Sequence, residues 1–109
     1  MYLEKLTNLK FPKGSKTNTP FMKGLKFDGY NSELNLAIEY NGEQHYRYVP
    51  YFHKNGTVDF KKQQDNDVLK NQLCQENNIY LITVPYWIFN KEKYIEDEYN
   101  NYLFLTSFA

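Results

Sequence analysis

The chain has a single cysteine, Cys74, so it forms no internal disulfide, and the paired cysteine spacing of a zinc finger is missing. No apolar run approaches transmembrane length, and no charged segment followed by an apolar stretch begins at Met1. These absences predict a soluble, intracellular and cytoplasmic chain that does not enter a membrane. No glycine-rich phosphate loop, dinucleotide fingerprint, or serine or cysteine triad is present, which removes several large enzyme classes. Net charge is also absent, with 13 basic residues balancing 13 acidic ones. Five glycines and four prolines in 109 residues are too few for a low-complexity chain, and no internal repeat is visible.

The chain is instead rich in aromatic side chains, with 11 tyrosines, 8 phenylalanines and one tryptophan. A 41% hydrophobic composition at this length predicts one folded domain with one core. So many phenols suggest a surface that makes contacts while partly wet. The charges are unevenly spread. Residues 1–27 hold six lysines against Glu4, a net +5, and the remainder carries a net −5. A basic arm (Lys10, Lys13, Lys16 and Lys23 among it) beside an acidic pocket suits an enzyme that grips a polyanion and holds a metal ion. A solvated lysine-rich tail explains the same numbers equally well.

Hydrophobic spacing predicts a short helix over 1–10, with Leu3, Leu6 and Leu9 on one side. A loop to Thr19 follows, then a β-hairpin of about 24–30 and 34–40 with a turn signal at Tyr30-Asn31-Ser32. Residues 41–58 read as a long aromatic and polar connection. Asp59 is a candidate N-cap for a helix to about Asn77, with Phe60, Gln64, Val68, Leu69 and Leu73 along its buried stripe. Cys74 reads as part of that apolar face. Asn77-Asn78 is placed to end the helix, because asparagine tolerates the left-handed conformation. Residues 79–84 form the clearest strand, and 91–104 a last helix burying Tyr94, Ile95, Tyr99, Tyr102 and Leu103. The fold class is α/β: a small mixed sheet of a hairpin plus a crossover strand, flanked by helices.

Two carboxylates stand out. Asp28 ends one apolar strand and Glu39 ends the next, and antiparallel pairing would bring them within side-chain reach. Such a pair is costly inside a core and useful for holding a hard cation such as Mg²⁺ or Mn²⁺ through oxygen ligands. His45, six residues beyond Glu39, can accept a proton from water as neutral imidazole. Gln44 can position water or phosphate, or simply tie the loop. Asn41 reads as support for the turn before Gly42. The loop interleaves aromatic and basic groups at Tyr46-Arg47-Tyr48 and Tyr51-Phe52-His53-Lys54. Such a mixture can stack on bases while a cation meets phosphate, or fold back and bury its own rings. His53 reads as an inert loop histidine.

The blocks Phe27-Asp28-Gly29-Tyr30, Leu36-Ala37-Ile38-Glu39-Tyr40-Asn41-Gly42-Glu43-Gln44-His45 and Gln64 through Ile82 resemble small PD-(D/E)XK nucleases. The branch they most resemble is that of the very short patch repair endonuclease-like proteins, including phage homing endonucleases of the EDxHD type. The similarity covers roughly residues 20 to 87, in the expected order. It implies a restriction-endonuclease-like fold, with 1–20 as basic helix and arm, 21–87 as catalytic core and 88–109 as C-terminal helix. It further implies a phage, viral or bacterial setting and cleavage of double-stranded DNA to leave a 5′-phosphate.

By that resemblance Asp28 and Glu39, with the backbone carbonyl of Tyr40, would ligate the metal. His45 would be the base, faced by a helix acid, for which Asp67 matches better than Asp65. Glu4 would be the first-helix glutamate, or merely an exposed charge. Arg47 and Tyr48 would join the lysines on nucleic acid. One departure is plain: the lysine expected two residues after the glutamate is Asn41. A nuclease-fold DNA-binding or interaction module that has lost cleavage is therefore a second reading, and an RNA-directed nuclease a third. The resemblance leaves the oligomeric state open, a dimer included.

Overall fold

The run Leu36-Ala37-Ile38 is apolar on both faces of an extended chain, so both faces must be covered. In the computed structural model, which describes residues 1–14 and 19–107, it forms the middle strand of a three-stranded sheet. β1 (Gly29–Asn31) pairs antiparallel with β2 (Leu36–Asn41), Gly29 lying opposite Ile38. β3 (Tyr80–Pro85) pairs with the other side of β2 in parallel, Ile82 opposite Ile38. A parallel pair needs a long crossover, supplied here by the 20-residue helix α2 (Thr57–Glu76). α1 (Tyr2–Thr7) and α3 (Lys91–Thr106) flank the sheet, and short 3-10 turns occur at Pro20–Met22 and Glu43–His45. The succession of helices and strands is the one expected from the sequence, and the architecture is a small mixed α/β fold.

Alternation along the strands sorts side chains into two layers. Leu36, Ile38, Ile82 and Val84 pack with Leu3, Ile95 and Tyr102 under α1 and α3. Ala37 and Tyr30 pack with Met22, Phe27, Leu73 and Cys74 under α2. Each fully buried leucine or isoleucine stabilises by about 1.5–3 kcal/mol, so both layers are needed. On the α2 side the apolar layer stops at Ala37. The next inward positions of β2 are Glu39 and Asn41, both buried. Among the described residues, no helix is long and apolar enough to cross a membrane.

Several boundaries differ from expectation. Residues 25–28 lie outside the first strand, because that stretch bonds elsewhere: Gly14 donates its amide to the Phe27 carbonyl. Tyr30 and Asn31 belong to β1 rather than to the turn, which runs over 32–35, with Asn35 left-handed and the Leu34 amide donating to Asn31. Gly56, not Asp59, caps α2; the Asp59 carboxylate instead accepts the Asn55 amide. Asn78 does adopt the left-handed conformation just past the helix. Leu103 is exposed on α3, whereas Ile95 and Tyr102 are buried.

The largest correction is the rotation of α2. Gln64 and Val68 face solvent, Val68 at 60% exposure, while Lys70, Leu73 and Cys74 face the sheet. Gln63, Asp67 and Lys70 recur at helical spacing, so the inward stripe is polar at its N-terminal end and apolar at its C-terminal end. A search for apolar periodicity passes over such a stripe.

Candidate functional site

Where the apolar layer ends, the sheet and α2 enclose polar groups. Glu39 forms a buried ion pair with Lys70, whose ammonium also donates to the Lys26 carbonyl at 2.8 Å. β2 itself carries no lysine, and the cation beside Glu39 comes from α2. Burial raises the Glu39 carboxyl above its ordinary value, Asp28 and Asp67 push the same way, and the Lys70 bond opposes without cancelling them.

Asp28 lies one residue beyond the last bridge of the hairpin, at the end where Glu39 follows Ile38. It is exposed, and its Oδ2 accepts the Tyr40 amide at 2.7 Å. The Tyr40 ring is exposed too, and partial burial followed by the charge of Asp28 raises its phenol. Two residues past Glu39, Asn41 turns into the same face. Its side chain hydrogen-bonds the Tyr46 hydroxyl, and its buried Oδ1 has no partner. Asn41 therefore points into the site, a finer role than the turn support expected of it. A cavity of about 280 Å³ is lined by Glu39, Asn41, Tyr46, Asp67, Lys70 and Thr83.

His45 sits in the Glu43–His45 turn with Nδ1 2.9 Å from Asp67 Oδ2, which ties the loop to α2. Asp65 instead pairs with Lys61 on the solvent side, so Asp67 is the acid that faces the histidine. Gln63 reaches the other ring nitrogen of His45 at 3.3 Å and His53 Nε2 at 3.0 Å. His53 is not a free loop side chain. It is 2% exposed and accepts the Val49 amide on Nδ1. The Gln44 carboxamide folds back over Gly42, where a Cβ would meet its Oε1 at 2.5 Å.

Other expected residues lie apart. Glu4 accepts the Phe11 amide at 2.7 Å and lies 3.9 Å from the N-terminal amine. Its carboxylate ties α1 to its own following loop rather than to the acids beneath α2. Arg47 is paired with Glu43 at 2.6 Å, and Tyr48 stacks on His53 with centroids 5.8 Å apart. Lys10, Lys13 and Lys23 are exposed, and Lys16 lies outside the described residues. Tyr46 packs against Trp87 and Tyr86, so part of the aromatic loop covers its own rings.

The oxygen donors here are of the type a hard divalent cation takes. Asp28 and Glu39 offer carboxylates, and the unpartnered Oδ1 of Asn41 offers a neutral oxygen. Among the described residues no three His, Cys, Asp or Glu side chains cluster into a ready-made shell. Mg²⁺ needs only one or two carboxylates and takes water and phosphate for the rest.

No family model matches the chain, and no solved structure does. Sequence relatives exist among viral proteins. The chain is 40% identical over 99 residues to Uncharacterized protein 307L of Invertebrate iridescent virus 6, covering 91% of this chain and 49% of that one. It is 45% identical over 73 residues to Uncharacterized protein 094L of Frog virus 3, covering 67% and 47%. A 38% match over 90 residues to Uncharacterized protein 033L of Invertebrate iridescent virus 3 covers 80% and 46%. The chain thus spans about half the length of the curated relatives it matches.

Proposed function

We propose that the chain is a metal-dependent DNA endonuclease with a restriction-endonuclease-like core, cleaving double-stranded DNA. The observation that supports this best is the polar recess lined by Glu39, Asn41, Asp67 and Lys70, with His45 bonded to Asp67 and Asp28 just before the neighbouring strand. A bound Mg²⁺ or Mn²⁺ would neutralise the scissile phosphate and lower the pKa of a water. Asp28, Glu39 and the Tyr40 carbonyl are the groups to hold it, with Asn41 Oδ1 as a further oxygen. Asp67 accepts the Nδ1 proton of His45, which leaves Nε2 as the atom that takes a proton from the attacking water. Lys70 brings a fixed ammonium to the recess and can share it between Glu39 and a phosphate oxygen.

A second reading has its own support. The Lys70 ammonium already neutralises the carboxylate that a metal ion would need, as it would in a nuclease fold kept for binding alone. Plasmid cleavage with Mg²⁺, Mn²⁺ or EDTA separates the two. The endonuclease should nick or linearise DNA with either metal and not with EDTA, and Asp28→Ala should abolish the activity. Binding without cleavage under every metal condition would leave the second reading standing.

A further inference from the structure

The hydrogen bonds around His45 have a direction, and a backbone amide sets it. The Val49 N–H can only donate, and its partner at 2.9 Å is His53 Nδ1. That nitrogen therefore carries the lone pair, and neutral His53 holds its proton on Nε2. The Nε2–H faces Gln63 Oε1 at 3.0 Å, which fixes the carboxamide with oxygen toward His53 and NH₂ toward His45. The NH₂ lies 3.3 Å from His45 Nε2, so that nitrogen must be the acceptor. The remaining proton of His45 is then on Nδ1, pointing at Asp67 Oδ2 at 2.9 Å. Every donor meets an acceptor in this order, and reversing any one link sets two donors or two acceptors face to face.

We propose that Gln63 and His53 are positioning residues that lock His45 in its Nδ1–H tautomer, with Nε2 as the proton-accepting atom. This rests on the nuclease reading for its purpose, although not for its geometry. Without the lock, an imidazole beside a carboxylate is still free to swing, or to present a protonated Nε2 to the water. The longest link is the Gln63–His45 contact. It is the one an incoming water can displace, taking over an Nε2 lone pair that the network has already kept free of a proton. His53 acts from the far end. It is buried, stacked by Tyr48 and packed against Phe60, which keeps its ring from turning over.

The test is ring ¹⁵N–¹H spectroscopy of the labelled full chain, at a pH well above the histidine range, with cleavage rates measured in parallel. Wild-type His45 should carry its proton on Nδ1 and His53 on Nε2. Gln63→Glu keeps the acceptor for His53 but replaces the donor to His45 with an anion, so it should draw a proton onto His45 Nε2. Its cleavage rate should fall by about 10–100-fold, the range found when a group that orients a metal-bound histidine is removed. His53→Asn keeps an acceptor near the Val49 amide but removes the Nε2–H. It should leave the loop in place and yield a mixture of His45 tautomers.

Wild-type His45 protonated on Nε2 alone would overturn the assignment. So would Gln63→Glu spectra and rates that match the wild type. The wild-type and Gln63→Glu results decide the matter even where the buried His53 does not tolerate replacement. The expected ring spectra in a chain that cleaves no DNA would uphold the lock and sink the nuclease reading.

Discussion

At the residue scale, the two strand-end acids look interchangeable in the sequence, and either could be expected to be removable without harm to the fold. Their surroundings differ. Glu39→Ala would strand the Lys70 ammonium in a buried position, and breaking a buried pair on one side typically costs about 3–5 kcal/mol. Adding Lys70→Met should return much of that loss, because the lone charge then disappears. Asp28 is exposed and loses only its bond to the Tyr40 amide, so Asp28→Ala should cost about 1 kcal/mol. Urea unfolding of the three variants checks this, and equal losses for the two alanine substitutions would contradict the buried pair.

Cys74 supplies a pH prediction. Burial, and then the charge of Glu39, pushes its thiol from 9.0 up to about 11, so the folded chain favours the neutral form. The stability this gives is fully present below pH 9 and is lost as pH rises from there toward 11. Two units correspond to about 2.7 kcal/mol, an order-of-magnitude figure. Stability measured between pH 8.5 and 10.5 should therefore fall more steeply in the parent than in Cys74→Ala. Parallel slopes would mean that the thiol ionises freely in the fold.

At the element scale, the hairpin, the long helix and the last strand were legible because each announces itself locally. Glu39 and His45 fall within seven residues of one another, and Asp28 is placed by a short turn. Lys70, Gln63 and the part played by His53 were not legible, because they depend on the rotation of α2 about its own axis. An apolar stripe through Val68 is what periodicity suggests, and it misses by roughly one residue's rotation the face that packs. The readable signal was the polar recurrence Gln63, Asp67, Lys70, leading into Leu73 and Cys74. For Glu4 the chain position offered either a first-helix acid or a plain charge, and its carboxylate accepts the Phe11 amide, a local bond that spacing alone does not announce.

At the scale of the whole molecule, the separation of charge matters more than its zero sum. If the N-terminal lysines grip DNA, replacing Lys10, Lys13 and Lys16 with glutamine should weaken binding about equally on all duplexes and flatten its salt dependence. Turnover at saturating DNA should change little. A salt titration in which variant and parent coincide would reduce those lysines to a solvated surface.

The parallel pairing of β2 with β3 carries a last consequence, for the order of events as the chain folds. Glu39 meets Lys70 across 31 positions and His45 meets Asp67 across 22, so neither pair forms until α2 has crossed over and docked. Closing such loops costs entropy before any contact repays it, which makes the crossover a late and slow event. The chemical groups therefore stay hydrated and apart in any half-folded chain. On this topology the polar recess, one wall of which is Thr83 of β3, is assembled only when the last strand is in place.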